Sequence, residues 1–256
     1  MRRRIVILVV LFVCRGSFGT TLVGPSTAVL EGDRFGLSVE YSQIDADLTF
    51  DIDGTGPAED FDLQTTYASF VAALTERWDF FIRLGAGRAD AAGFDGDTDF
   101  SWGMGTRFTV FQGEEVSWGA LVQFTTVTSQ QDTVAEFLLD PNGPVLLATE
   151  DELDLVEYVF ATGPTWRHGP LALYGGLLVR YVTGEFQTDA GLVREQFDIE
   201  RQWDAGGYVG GRFTLFRAAT PHTYGIARGE LTVEGRFTDD SSGFSVGLLL
   251  PFGGPL

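Results

Sequence analysis

The chain has 256 residues, long enough for one large β domain or two small ones. Its 36 acids face 17 basic residues, every one an arginine, which excludes nucleic acid as a partner because phosphate neutralisation needs clustered positive charge. With charged residues at 21% and aromatic residues at 13%, the composition also excludes a disordered chain.

The N-terminus carries the clearest local signal. "MRRR" is basic, "IVILVVLFVC" is apolar, and "RGSFG" follows with small residues Ser17 and Gly19 before a cut after Gly19. This pattern predicts a secretory signal peptide over residues 1–19, too short for a stable membrane helix. Ending the apolar run in Cys14 leaves a lipoprotein signal as an alternative, although Val13 is bulky where a small residue is usual. Cleavage after Gly19 leaves 13 Arg against 36 acids, a mature charge of −23, and removes Cys14, the only cysteine. A disulfide-stapled scaffold is therefore excluded. Residues 20–33, "TTLVGPSTAVLEGD", read as a periplasmic lead-in that could also pair with a sheet.

From residue 34 onward the chain alternates. "RFGLSVEYS" puts Phe35, Leu37, Val39 and Tyr41 on one side, with Glu40 on the other. Residues 62–75 alternate less cleanly. "RWDFFIRLGAG" sets Trp78, Phe80, Ile82 and Leu84 opposite Arg83, and "DFSWGMGTRFTVF" sets Trp102, Met104 and Phe108 opposite Arg107. "SWGALVQFT" has Trp118, Ala120, Val122 and Phe124 on one side, and "LVEYVFATGPTW" sets Val156, Tyr158, Phe160 and Trp166 against Glu157. In "LALYGGLLVRYVTGEF" the apolar face is Leu171, Leu173, Leu177, Val179 and Tyr181, and Arg180 lies opposite. "QWDAGGYVGGRFTLF" opposes Trp203, Val209 and Phe213 to Asp204, Tyr208 and Arg212, and "RGELTVEGRF" opposes Leu231, Val233 and Phe237 to Glu230, Glu234 and Arg236. "GFSVGLLLPF" closes the series with Phe244, Val246, Leu248, Leu250 and Phe252, and residues 253–256 read as a short tail. These segments predict about ten strands, with eight to twelve compatible with the pattern.

The connections, at residues 44–61, 75–77, 88–99, 112–117, 127–152, 167–170, 185–200, 217–223 and 238–243, alternate long and short along nearly the whole chain, and the long ones hold most of the acids. Short turns on one side and longer loops on the other are what a membrane β-barrel requires, and a soluble sandwich has no reason to sort its loops by parity.

With its export signal, alternating strands, loop parity and closing apolar strand, the chain resembles the Gram-negative outer-membrane β-barrel proteins, of the small porin-like and OmpA-like class. The likeness spans residues 34–252. It implies an all-β fold, a closed antiparallel up-and-down transmembrane β-barrel in the outer membrane. The last strand resembles the family's signal to the outer-membrane assembly machinery, although "GGPL" follows where the family usually ends on the aromatic. Lipid and that machinery are the expected partners.

In such a barrel Arg180 faces the lumen, because a lipid-facing Arg costs about 2–4 kcal/mol at the midplane. The same reasoning sends Glu40, Arg83, Arg107, Glu157, Arg212, Glu230, Glu234 and Arg236 inward as a lumen ionic network, joined by Tyr174, Asp204 and Tyr208. Arg212 and Glu230 are expected to sit nearly opposite each other across a short turn. Trp78, Trp102, Trp118, Trp166 and Trp203 are expected in aromatic belts.

"DIDGTG" and "FDGDTDF" resemble calcium loops, which makes Asp51, Asp53, Asp95, Asp97 and Asp99 weak candidates for a divalent cation. The bidentate Glu of such loops is missing, and no other cofactor is expected. The runs "YGGLL" and "AGGYVGG" lack the strand-to-helix setting of a phosphate loop. Enzymatic members of the class need a base near the outer rim. Here His168 and His222 fall in short turns on the other side and no GxSxG occurs, so a non-enzymatic barrel is expected. The leading expectation is a structural barrel with acidic surface-exposed loops and a charged, largely plugged lumen. A narrow cation-favouring pore is the alternative, and a soluble periplasmic lipocalin-like ligand-binding barrel, with its faces inverted, is the second.

Overall fold

A computed structural model describes residues 22–30, 33–49, 58–91, 94–140, 143–189, 194–217 and 225–255. Residues 1–19, expected to be a signal segment, with Cys14, and His222 lie outside these residues. The strands in chain order are β1 (Asp33–Thr49), β2 (Ala58–Thr75), β3 (Trp78–Ala91), β4 (Phe94–Asp95), β5 (Asp99–Gln112), β6 (Val116–Asp140), β7 (Gly143–His168), β8 (Leu171–Asp189), β9 (Arg194–Arg217), β10 (Arg228–Thr238) and β11 (Ser241–Pro255). Every pairing is antiparallel, and apart from the two-residue β4 each strand pairs with its sequence neighbours. β1 also pairs with β11, from Asp33↔Pro255 to Ala46↔Ser241, so ten long strands close into an up-and-down barrel without edges. Gly253–Pro255, expected as a tail, belong to β11, because the start of β1 gives their backbone a partner.

The strands are longer than the sequence reading drew them. β6 has 25 residues, β7 has 26 and β9 has 24, where a membrane crossing needs about 9–11. Residues 127–152, expected as one long loop, are almost entirely the β6–β7 ladder, paired from Val127↔Leu155 out to Asp140↔Gly143. Acidic residues disguise these strands as loops because, beyond the membrane, their outward faces meet water.

The outer wall shows where that change happens. Trp102, Phe124, Tyr158, Tyr181 and Trp203 form a continuous aromatic row across β5 to β9, with ring centroids 4.7–6.0 Å apart. Below this row, toward the short turns, the outward side chains are large and apolar, including Leu37, Val39, Leu84, Val122, Leu173, Leu177 and Val209. Trp78, Trp118 and Trp166 mark the turn end. An exposed apolar surface encircling the molecule between two aromatic rows fits a lipid boundary. Above the row the outward positions become Gln43, Asp62, Arg88, Thr128, Asp154 and Asp198.

The interior inverts in step. Above the row the inward residues form an apolar cluster of Ile44, Phe61, Leu63, Phe94, Val127, Leu153, Leu155, Val182 and Ile199. Below it the inward residues are charged, together with Phe81, Leu121, Tyr174 and Tyr208. The charged lower interior beneath an apolar outer wall speaks against the lipocalin-like alternative, which needs the apolar face inside and the charges outside.

Residues 22–30 run inside this barrel, and every one of them is buried. They were expected to belong to a lead-in beside the barrel. From Leu30, next to the start of β1, the segment climbs into the lumen, and its contacts come from all around the wall. Gly163 and Gly176 face each other where β7 and β8 approach most closely, since a Cβ on Gly163 would lie 1.9 Å from the Gly175 carbonyl oxygen and one on Gly176 2.0 Å from that of Thr162.

Candidate functional site: the charged lumen

Strand parity puts alternate residues of each strand inside, and here that places ionic side chains at the same heights on neighbouring strands. Just below the aromatic row, Arg180 on β8 donates from Nε to Glu157 on β7 at 2.9 Å and from Nη1 to Ser241 Oγ at 3.1 Å. Asp204 on β9 lies 3.5 Å from its Nη1, and Arg236 on β10 reaches Glu157 at 3.4 Å. Arg180 and Glu157 are 4% and 6% exposed.

Lower down, Arg83 on β3 pairs with Glu40 on β1 at 3.2 Å and donates to Gln123 on β6 at 3.3 Å. Arg83 and Arg107 both stack on Phe81, at 4.8 and 4.7 Å from the ring centre. Toward the turns, Arg212 lies 3.5 Å from Glu230. They are offset by two residues on the same face: the register sets Thr232 against Arg212, and Glu230 against Thr214. The pair is therefore diagonal, and Glu230 also accepts from Arg228 at 2.8 Å.

The lumen segment takes the remaining acids. Glu234 accepts the backbone N–H of Val23 at 2.8 Å and of Gly24 at 2.7 Å, plus the Tyr174 hydroxyl at 3.0 Å. Asp79 accepts the N–H groups of Val29 and Leu30. Arg228 donates to the carbonyls of Val29 at 3.1 Å and Leu30 at 3.0 Å, and pairs with Asp33 at 2.5 Å. Ser26 donates to the Gly163 carbonyl, and the Thr27 and Thr165 hydroxyls bond each other, both at 3.1 Å.

Thus the nine ionic residues expected inside, Glu40, Arg83, Arg107, Glu157, Arg180, Arg212, Glu230, Glu234 and Arg236, are all buried in the interior. Among them Arg180 and Arg236 contact Glu157, Arg83 contacts Glu40, and Arg212 contacts Glu230. Asp79, Asp33 and Arg228 are additions that the sequence reading did not select. Arg228 sits two residues before Glu230 and shares its face, which is the signal that could have found it.

Only part of the expected cation set at the outer rim falls among the described residues. Asp51 and Asp53 lie outside the described residues. Asp95 pairs with Arg88, and among the described residues no three His, Cys, Asp or Glu side chains converge as metal ligands. Asp45 and Asp62 face each other across β1 and β2, and burial followed by repulsion from Asp45 pushes the Asp62 carboxyl above its usual range. His168 stacks on Trp166 at the turn end, 5.6 Å centre to centre, away from this rim.

No protein-family model matches the sequence, and no curated protein sequence matches it. Solved structures are similar in fold. The outer-membrane protease OmpT of Escherichia coli aligns at 8% identity over 86% of this chain and 97% of its own, with a TM-score of 0.51. The translocator domain of the autotransporter NalP of Neisseria meningitidis aligns at 12% identity over 86% and 88%, with a TM-score of 0.48. An outer-membrane channel of Pseudomonas putida F1 aligns at 15% identity over 90% and 98%, with a TM-score of 0.42. Such identities speak for fold alone. The fold is that of the Gram-negative outer-membrane β-barrels.

Proposed function

We propose that the protein is a structural, non-catalytic barrel of the outer membrane, exported through a signal peptide cleaved after Gly19, with a lumen that its own N-terminal segment keeps shut. The observation that carries this reading is the burial of residues 22–30 on inward groups of six strands, β3, β5, β7, β9, β10 and β11. The apolar cluster above the aromatic row supports it from the other end, since ions do not cross a packed apolar layer. The acidic upper walls then serve as the face offered to the outside. Lipid and the assembly machinery are the partners, and no cofactor is assigned beyond a weak divalent cation at the acidic rim.

Single-channel recording of the purified protein in a planar bilayer in KCl tests the reading. Stable insertion with no steady current is the expected result. A steady cation-selective current, altered by neutralising Arg180 or Glu157, would make the protein the narrow cation-favouring pore.

A further inference from the structure

A small cavity lies between the lumen segment and the wall of β1, β2, β3, β5, β9, β10 and β11. Arg83, Arg107 and Arg212 line it, against one acid, Glu40. Glu40 is already committed to Arg83 and to the Ser69 hydroxyl, and Arg212 has Glu230. Arg107 has no such partner. It is 8% exposed, and among the described residues neither a hydrogen bond nor an ion pair reaches its guanidinium. Nε of Arg83 is likewise buried without an acceptor. The two cations flank the same face-giving ring, Phe81, so each is held in place while part of its donor set stays unused.

Asp79 is the acid opposite Arg107 in the register; its Oδ2 is drawn to the N–H groups of Val29 and Leu30, and its Oδ1 is buried without a hydrogen bond, so neither oxygen is closed onto the guanidinium. Opposite the guanidinium stands Gly24 in the left-handed region, with φ +69°, where a Cβ would lie 3.5 Å from Nη2. Any other residue would fill the space in front of the cation. Buried guanidinium N–H groups without an acceptor are costly, and three guanidiniums line this cavity against one carboxylate.

We infer that this cavity is a binding site for a small inorganic anion of about halide size, held between Arg107 and Arg83 and walled by Gly24. The site stands whether or not the barrel conducts. Its anion would balance Arg107 while Asp79 holds the segment.

The test uses the full mature protein in detergent. The thermal unfolding midpoint is followed as sodium bromide replaces sodium gluconate at constant ionic strength, gluconate being too large to enter. The site requires a saturable rise with bromide in the unaltered protein and a flat response in Arg107→Gln. Should that variant not fold, crystals of the unaltered protein grown in bromide decide: an anomalous peak between Arg83 and Arg107 is expected. Equal midpoints in the two salts, an undiminished response in Arg107→Gln, or a crystal with no peak and Arg107 closed onto Asp79 would each overturn the site.

Discussion

At Arg180 a single charge on a long apolar strand must choose a side. Lipid offers no hydrogen-bond partner and the lumen offers three, Glu157, Asp204 and Ser241. That choice was legible, because alternation fixes the face and solvation fixes which face is which. The exact partners were less legible: the Arg212–Glu230 contact is made on the diagonal, because the register of β9 against β10 is set by backbone pairing that leaves no residue signature. Burial makes the Arg180 group sensitive. Arg180→Met removes the shorter of the contacts from Arg180 and Arg236 to Glu157 and is expected to cost about 3–5 kcal/mol, the usual loss on breaking a buried pair. Arg180→Met combined with Glu157→Gln should cost less than the two single changes together, because the second change removes a charge that the first had left under-paired. Urea titration of the protein folded in liposomes measures all three, and strict additivity would show that the pair is not coupled.

Among the elements, the long strands announced themselves by period and the lumen segment did not. "LVGPSTAVL" has no charge and no alternation. What binds it is largely backbone, four N–H groups to Glu234 and Asp79 and two carbonyls to Arg228. Every residue type but proline offers those groups, so they leave no mark in a sequence. The same blindness to backbone pairing made the β6–β7 ladder look like a loop. The segment's attachment can be checked with Ser26→Cys, which adds a thiol to a mature chain that has none. In the parent background an impermeant maleimide should label it slowly. With Asp79→Ala and Glu234→Leu added, the segment loses all four N–H acceptors, and labelling should rise at least about tenfold as local opening becomes easier. Equal labelling rates would mean these two acids do not hold the segment.

Taken whole, the molecule is two kinds of barrel on one set of strands. Below the aromatic row it is a membrane protein, apolar outside and charged inside. Above the row it is built as a soluble protein is, with a packed apolar interior and polar walls. The strands pass from one regime to the other without a break in pairing, so the backbone carries no sign of the boundary and side-chain polarity carries all of it. One substitution should therefore have different effects at different heights. Leu177→Arg, on the outer wall and 72% exposed, puts a charge into lipid and is expected to cost about 2–4 kcal/mol. Thr128→Arg, on the same outer side but above the row, meets water and should stay within about 0.5 kcal/mol of the parent. Leu153→Arg, inside the upper cluster and 1% exposed, buries an unpaired charge among apolar side chains and should be the worst of the three. Folding free energies in liposomes rank them. If Thr128→Arg proved as harmful as Leu177→Arg, the lipid boundary would lie above the aromatic row, and the upper walls would belong to the membrane.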